Sequence, residues 1–308
     1  MVTSVAGDSR SSVGWHLSPA GDSITLDDGR RILVGMRVEG SSQIFCQLFL
    51  PPDPPQGGVL ICSPLYAERI RNERREFLAG LAWASRGLAT VRFHYRGTGH
   101  SSVDPIDPTF DDLVDDALLA GSHLLAHNIE LAAIMGTRLG ALVAAIAAQS
   151  FSQVPLILWQ PATSGERFYR DVFRAKVMGS MAQGMASSPT RAFKAALAAG
   201  ERLDVMGYRV GSRLYQTAAS LRLAAMIERR RVLLIQMSGR QVLSPDYHDL
   251  VGELSERGCS VETEITNDDE AWWFGRNPDR AELKADTWTE GAATATGDFL
   301  GRTLAATK

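Results

Sequence analysis

The sequence predicts an α/β protein: a mostly parallel twisted sheet flanked by helices, with a helical insertion near the middle of the chain. Three observations predict it. Short, wholly apolar runs alternate with amphipathic stretches between residues 57 and 161, the pattern of parallel strands buried on both faces. The alternation stops over residues 163–228, which read as helix-rich and strand-free, and it resumes with "RRVLLIQMSG" at 230–239. At 308 residues and 45% hydrophobic, the chain can fill one large core with the insertion as an appendage.

Residues 1–14 are Ser/Gly-rich and are expected to be disordered. Three strand-like runs follow, "SITLDD", "RILVGMRV" and "SQIFCQLFL"; Asp-Gly between the first two signals a hairpin, so this part forms an antiparallel edge. "GGVLICSP" opens the parallel part and leads through a loop into a helix over Asn72 to Ser85. The strand "LATVRFHY", the helix "FDDLVDDALLAGSHLLAH", the strand "ELAAIMG", a helix after Arg138 and the strand "VPLILWQP" come next. Asp111, Asp112, Asp115 and Asp116 suit the N-terminal half of their helix, where the dipole favours negative charge. After the insertion, a helix starts near Pro245, "CSVETEI" is a strand, and a last helix spans about Thr289 to Leu304. The organisation is a core of residues 15–162 and 229–308 and a cap of residues 163–228.

Composition excludes several classes of partner. A net charge of -3 offers no electrostatic attraction to nucleic acid or an anionic membrane. No apolar leader precedes the core and no run of roughly 20 apolar residues occurs, which points to a cytoplasmic, soluble protein. Cys46, Cys62 and Cys259 are far apart, so neither a disulfide framework nor a metal site is implied, and the first two read as inert core thiols. "YRGTGH" lacks the Lys-Ser/Thr of a phosphate loop and the third glycine of a dinucleotide fingerprint. No cofactor is therefore expected. A small anionic molecule is the expected partner, and association into a homodimer is compatible with the sequence.

The most telling stretch is "ELAAIMGTRLGALVAAIAAQS", Glu130 to Ser150. A strand enters Gly-x-x-x-Gly and leaves as an Ala-rich helix, the shape of the tight turn that presents a serine nucleophile between two glycines. Its central residue is Arg138. With the order of elements and the cap, this turn resembles the α/β-hydrolase superfamily from about residue 22 onward: a mostly parallel twisted sheet flanked by helices, with a helical cap inserted after strand 6. Within it, "SPLYAERIRNERR", "HYRGTGHSS", "GTRLGA", "LWQPATSGERF", "DVMGYRV" and "DEAWWF" together resemble the family called exosortase A system-associated hydrolase 2. That family also carries arginine at the elbow. Aligned on the superfamily, the acid position falls on Arg240, and the histidine loop "TNDDEAWWFG" holds no histidine, Glu270 lying nearest. A guanidinium stays protonated and cannot attack a carbonyl, so serine-type acyl transfer is excluded.

An arginine at a helix N-terminus suits an oxyanion, and Arg240 pointing into the same pocket would add a second cation. The alternative is that Arg138 pairs with Glu270 or Asp269 and only fills the nucleophile's place. Glu68, in the loop where the superfamily builds its oxyanion hole, is either a general base or a carboxylate holding Arg138. His94 and Tyr95 end their strand near the pocket mouth; His94 is a second base candidate, though a strand-end histidine is more often structural. Tyr66 and Tyr95 are candidate pocket linings. Trp272 and Trp273 either stack on a planar ligand or pack in the core.

Arginine at the elbow, a carboxylate base and a lid fit an enzyme without covalent catalysis, in which cations stabilise a developing enolate. Cofactor-free elimination of a carboxylate is such a reaction, and a weaker resemblance to the hydrolase-like, acetate-eliminating enzymes of tetronate and spirotetronate biosynthesis implies a polyketide-derived, acetylated tetronate as substrate. The alternatives are a hydrolase or acyltransferase that activates water directly, and a catalytically dead binding protein.

Overall fold

The computed structural model describes residues 14–16, 23–39, 42–101, 107–151, 153–182, 184, 188–268 and 290–306. The expected disordered segment 1–14 lies outside them except for Gly14. The chain opens with β1 (Gly14–His16), β2 (Ser23–Thr25), β3 (Arg31–Glu39) and β4 (Ser42–Leu50). The Asp-Gly turn joins β2 to β3 as expected, with Gly29 at φ 84° and Leu26 and Arg30 bonded across it. The alternating core then runs β5 (Gly58–Cys62), α1 (Tyr66–Ala84), β6 (Ala89–Phe93), α2 (Phe110–Ala126), β7 (Leu131–Thr137), α3 (Gly140–Ala147) and β8 (Leu156–Trp159). Between β8 and the next sheet strand come α4 (Gly165–Ala182), α5 (Thr190–Ala198), β9 (Leu203–Val205), β10 (Tyr208–Val210), α6 (Ser212–Ala218) and α7 (Leu223–Met226). The chain closes with β11 (Arg231–Met237), α8 (Pro245–Glu256), β12 (Ser260–Thr266) and α9 (Glu290–Ala305).

The main sheet has the order β1-β3-β4-β6-β5-β7-β8-β11-β12, with β2 also paired to β3. Pairings up to β4–β6 are antiparallel, and those from β6 to β12 are parallel. Successive residues of β5 go to opposite faces, as strand geometry requires. Val59 and Ile61 share one buried cluster with Trp83 of α1 and Phe299 of α9, while Leu60 and Cys62 share the other with Leu113 of α2 and Leu142 of α3. The two tryptophans Trp83 and Trp159 cross edge to face at 5.9 Å, and the Trp83 indole N–H donates to the carbonyl of Ala293.

Two expectations are corrected. The cap is not strand-free: β9 and β10 form an antiparallel hairpin whose two turn residues, Met206 (φ 55°) and Gly207 (φ 84°), are both left-handed. Met-Gly supplies the glycine of a two-residue turn but not the usual Asn or Asp before it, so the turn went unread. Helix α1 starts at Tyr66 rather than Asn72, which moves Glu68 from a loop to the first helical turn. Cys46 and Cys62 are fully buried, and burial pushes both thiols well up.

Candidate active site

The strand-to-helix turn after β7 has the strained geometry of a nucleophile elbow with arginine as its apex. Arg138 sits at φ 54°, a conformation costly for any residue with a Cβ. Its carbonyl accepts from the N–H groups of Ala141 and Ala162, and its own N–H donates to Trp159. The glycines on either side are steric necessities. A Cβ on Gly140 would lie 2.1 Å from the Cys62 carbonyl oxygen, and one on Gly136 would lie 2.4 Å from the Gly140 oxygen. All the contacted atoms are backbone, so nothing can give way.

Arg138 is 6% exposed, and its side chain joins two carboxylates. Its Nε donates to Glu68 Oε1 at 3.0 Å, and its Nη2 donates to Asp171 Oδ2 at 2.7 Å. Glu68 belongs to α1 in the core and Asp171 to α4 in the cap, so one guanidinium ties the two parts together. Burial opposes the Arg138 charge, but Glu68, Tyr247 and Asp171 outweigh it and raise its pKa. Burial also raises the Glu68 carboxyl above its ordinary range; Arg138 restrains the rise and Asp171 adds to it. Glu68 Oε2 is buried and meets no hydrogen-bond partner among the described residues. Glu68 lines a cavity of about 20 Å³ together with Leu65, Tyr66, Phe168, Asp171 and Met206 among others, enough for one water molecule. Tyr66 stands at φ 55° and stacks on Phe168 at 6.0 Å.

The expected site residues divide into three groups. Arg138, Glu68 and Tyr66 come together. Arg240, Tyr95 and His94 do not join them. Arg240 is exposed on the turn after β11. Tyr95 is fully buried against Phe93, edge to face at 4.8 Å, because the β6 end packs into the core rather than the cavity. His94 forms a separate cluster: it stacks on Phe45 and His100, accepts from the His100 N–H through Nδ1, and lies 3.5 Å from Glu73 Oε1. Burial, then Arg69 and Arg92, push its pKa down to about 4. Glu270, Trp272 and Trp273 lie outside the described residues. Three residues were missed. Asp171 carries the second carboxylate. Tyr247 of α8 donates to the Pro161 carbonyl and is near enough to Arg138 to influence its charge. Arg167 of α4, paired with Asp246, is the second cation close to Arg138. Nothing in the local sequence flags them, since the cap's seating on the core is a tertiary matter.

No family model and no curated protein matches the sequence. Solved structures do match. Est1E from Butyrivibrio proteoclasticus superposes with a TM-score of 0.60 at 14% identity, over 88% of this chain and 99% of that one. This chain has the α/β-hydrolase fold. Proline iminopeptidase from Mycobacterium smegmatis (TM-score 0.58, 13% identity, 89% and 100% covered) and the α/β hydrolase GrgF from Penicillium sp. sh18 (0.54, 15%, 90% and 99%) superpose similarly. Within this hydrolase fold, the turn after β7 carries Arg138 at its apex, ion-paired to Glu68 and Asp171. Among the described residues no group of three or more His, Cys, Asp or Glu side chains is arranged to hold a metal, and no helix is long and apolar enough to cross a membrane.

Proposed function

We propose that this hydrolase-fold protein is an enzyme of acid–base rather than covalent chemistry, acting on a small molecule beneath the cap with Glu68 as the base. The observation that carries the reading is the state of the Glu68 carboxylate. One oxygen is held by Arg138, the other is buried and unpartnered among the described residues, and the residue lines a cavity. A desolvated carboxylate with a raised pKa and one free oxygen is suited to removing a proton. Arg138 orients it and balances the charge that develops.

The reaction we favour is elimination. Glu68 removes a proton next to a carbonyl, the carbon–hydrogen electrons form the new double bond, and a carboxylate leaves with the electrons of its carbon–oxygen bond. The resemblances of the sequence suggest an acetylated tetronate as substrate and acetate as leaving group. Incubation with an acetoxymethyl tetronate and no added cofactor is expected to yield acetate and the exocyclic alkene, with no solvent oxygen in the acetate when heavy-oxygen water is used. Glu68→Gln is expected to lower the rate at least about 100-fold.

Water activation by the same carboxylate is a second reading, favoured by the water-sized cavity against Glu68. It predicts the free alcohol and, after attack at the acyl carbon, solvent oxygen in the acetate. Formation of neither product by the wild type would leave a binding protein in which Arg138 is a structural clamp.

A further inference from the structure

The Arg138 guanidinium already holds an anion on each of two nitrogens, Nε and Nη2, and the two are not equivalent. Glu68, on α1, belongs to the core and its side chain is 7% exposed; Asp171, on the cap helix α4, is 18% exposed and lines the cavity. Asp171, which holds Nη2 at 2.7 Å, is therefore the more exposed of the two partners and the one on the cap side of the cavity. A planar guanidinium fork presents the same geometry to any carboxylate. We propose that Asp171 is a resident anion, standing on Arg138 where a ligand's carboxylate or similar planar oxyanion sits, and that such a ligand binds by exchanging with it.

The exchange satisfies the electrostatics of a buried site. Removing a partner from a buried arginine leaves an uncompensated charge, which is strongly unfavourable. Replacing one carboxylate by another leaves the charge around the guanidinium unchanged and never exposes Arg138 to that penalty. The second mark of a ligand site is Glu68, which lines the same cavity and whose buried Oε2 has no hydrogen-bond partner among the described residues. The small size of the cavity, about 20 Å³, follows from the same arrangement, because the side chain that fills the place must withdraw before a ligand enters. An intramolecular carboxylate also competes at millimolar effective concentration or more, so the wild type should bind free monocarboxylates weakly.

This inference deepens the reading of the cavity as a catalytic site, but its test reads binding alone and is decided whether or not any reaction is found. Acetate is titrated by calorimetry into the wild type, Asp171→Asn, Asp171→Ala, and the double variant Asp171→Ala with Arg138→Met, with circular dichroism as the check of folding. Asp171→Ala is expected to bind acetate at least about tenfold more tightly than the wild type, and the double variant not measurably. If Asp171→Ala fails to fold, the isosteric Asp171→Asn carries the comparison, with at least about threefold tighter binding expected. Folded Asp171 variants that bind acetate no better than the wild type would make Asp171 a fixed strut and overturn the proposal. Tight binding that survives the loss of Arg138 would overturn it equally, by placing the anion elsewhere.

Discussion

Arg138 holds a permanent charge at 6% exposure because two carboxylates surround it, and its removal strands them both. Breaking a buried ion pair from one side costs about 3–5 kcal/mol, far above the 0–1 kcal/mol of an exposed pair. Arg138→Met is therefore expected to lose about 3 kcal/mol or more in urea unfolding, with part of the loss recovered when Glu68→Gln is added. A loss below about 1 kcal/mol would show that the buried triad contributes nothing to stability. Glu76 offers a second test at this scale. Its Oε2 accepts from the Ser63 hydroxyl at 2.6 Å, and burial pushes its carboxyl from 4.5 to about 7, Arg92 and Ser63 restraining the rise. A carboxyl raised on folding contributes stability that is complete below pH 4.5 and lost as pH rises through 7. His94, depressed to about 4, acts in the opposite sense between pH 4 and 6.5. The signature is thus the difference in melting temperature between wild type and Glu76→Gln, which should shift in favour of the variant from pH 4.5 to 7.5. A difference independent of pH would exclude this titration.

At the scale of the element, the elbow is built by glycines that touch backbone, whereas other glycines of the chain touch nothing. Gly140→Ala places a methyl 2.1 Å from the Cys62 carbonyl oxygen, and no rotamer change relieves a clash with backbone. The variant is expected to lose several kcal/mol or to fail to accumulate as soluble protein. Gly252, exposed within α8 and with nothing near its missing Cβ, is the contrast. Gly252→Ala should stabilise by about 0.5–1 kcal/mol through helix propensity. Thermal melts of the two variants side by side test the pair. Both glycines look alike in the sequence, but the elbow glycine was legible because its partner stands four residues earlier in a strand–turn–helix frame. The start of α1 was not legible. Its buried face carries Glu68, Asn72, Arg75 and Glu76 in place of apolar residues, so periodicity gave no sign of a helix there.

At the scale of the whole molecule, the cap and core share one interior. A single buried apolar cluster runs from Ile44, Leu60 and Leu142 under the sheet through Phe168, Phe173 and Leu214 of the cap to Leu254 of α8. The ion pair between Arg222 of the cap and Glu253 of α8, at 3.0 Å, is exposed and adds about 1 kcal/mol at most. The shared apolar cluster decides the matter, and cap and core are expected to unfold together in one calorimetric transition. Two resolved transitions, the earlier one removing only part of the helical signal, would show instead that the cap is an independent unit.

Local chemistry determined a good deal unaided. Runs of β-branched and apolar residues specified the buried parallel strands, Asp-Gly the edge hairpin, and Gly-x-Arg-x-Gly the elbow with a cation at its apex. These are interactions within a few residues of chain, and a linear pattern records them. The company Arg138 keeps was decided only by tertiary structure: Glu68 is 70 residues away along the chain and Asp171 is 33. Which strand ends face the cavity and which sink into the core, as His94 and Tyr95 do, depends likewise on how the layers stack. Charges separated by long stretches of chain meet through packing, and packing is a property of the whole interior rather than of any segment.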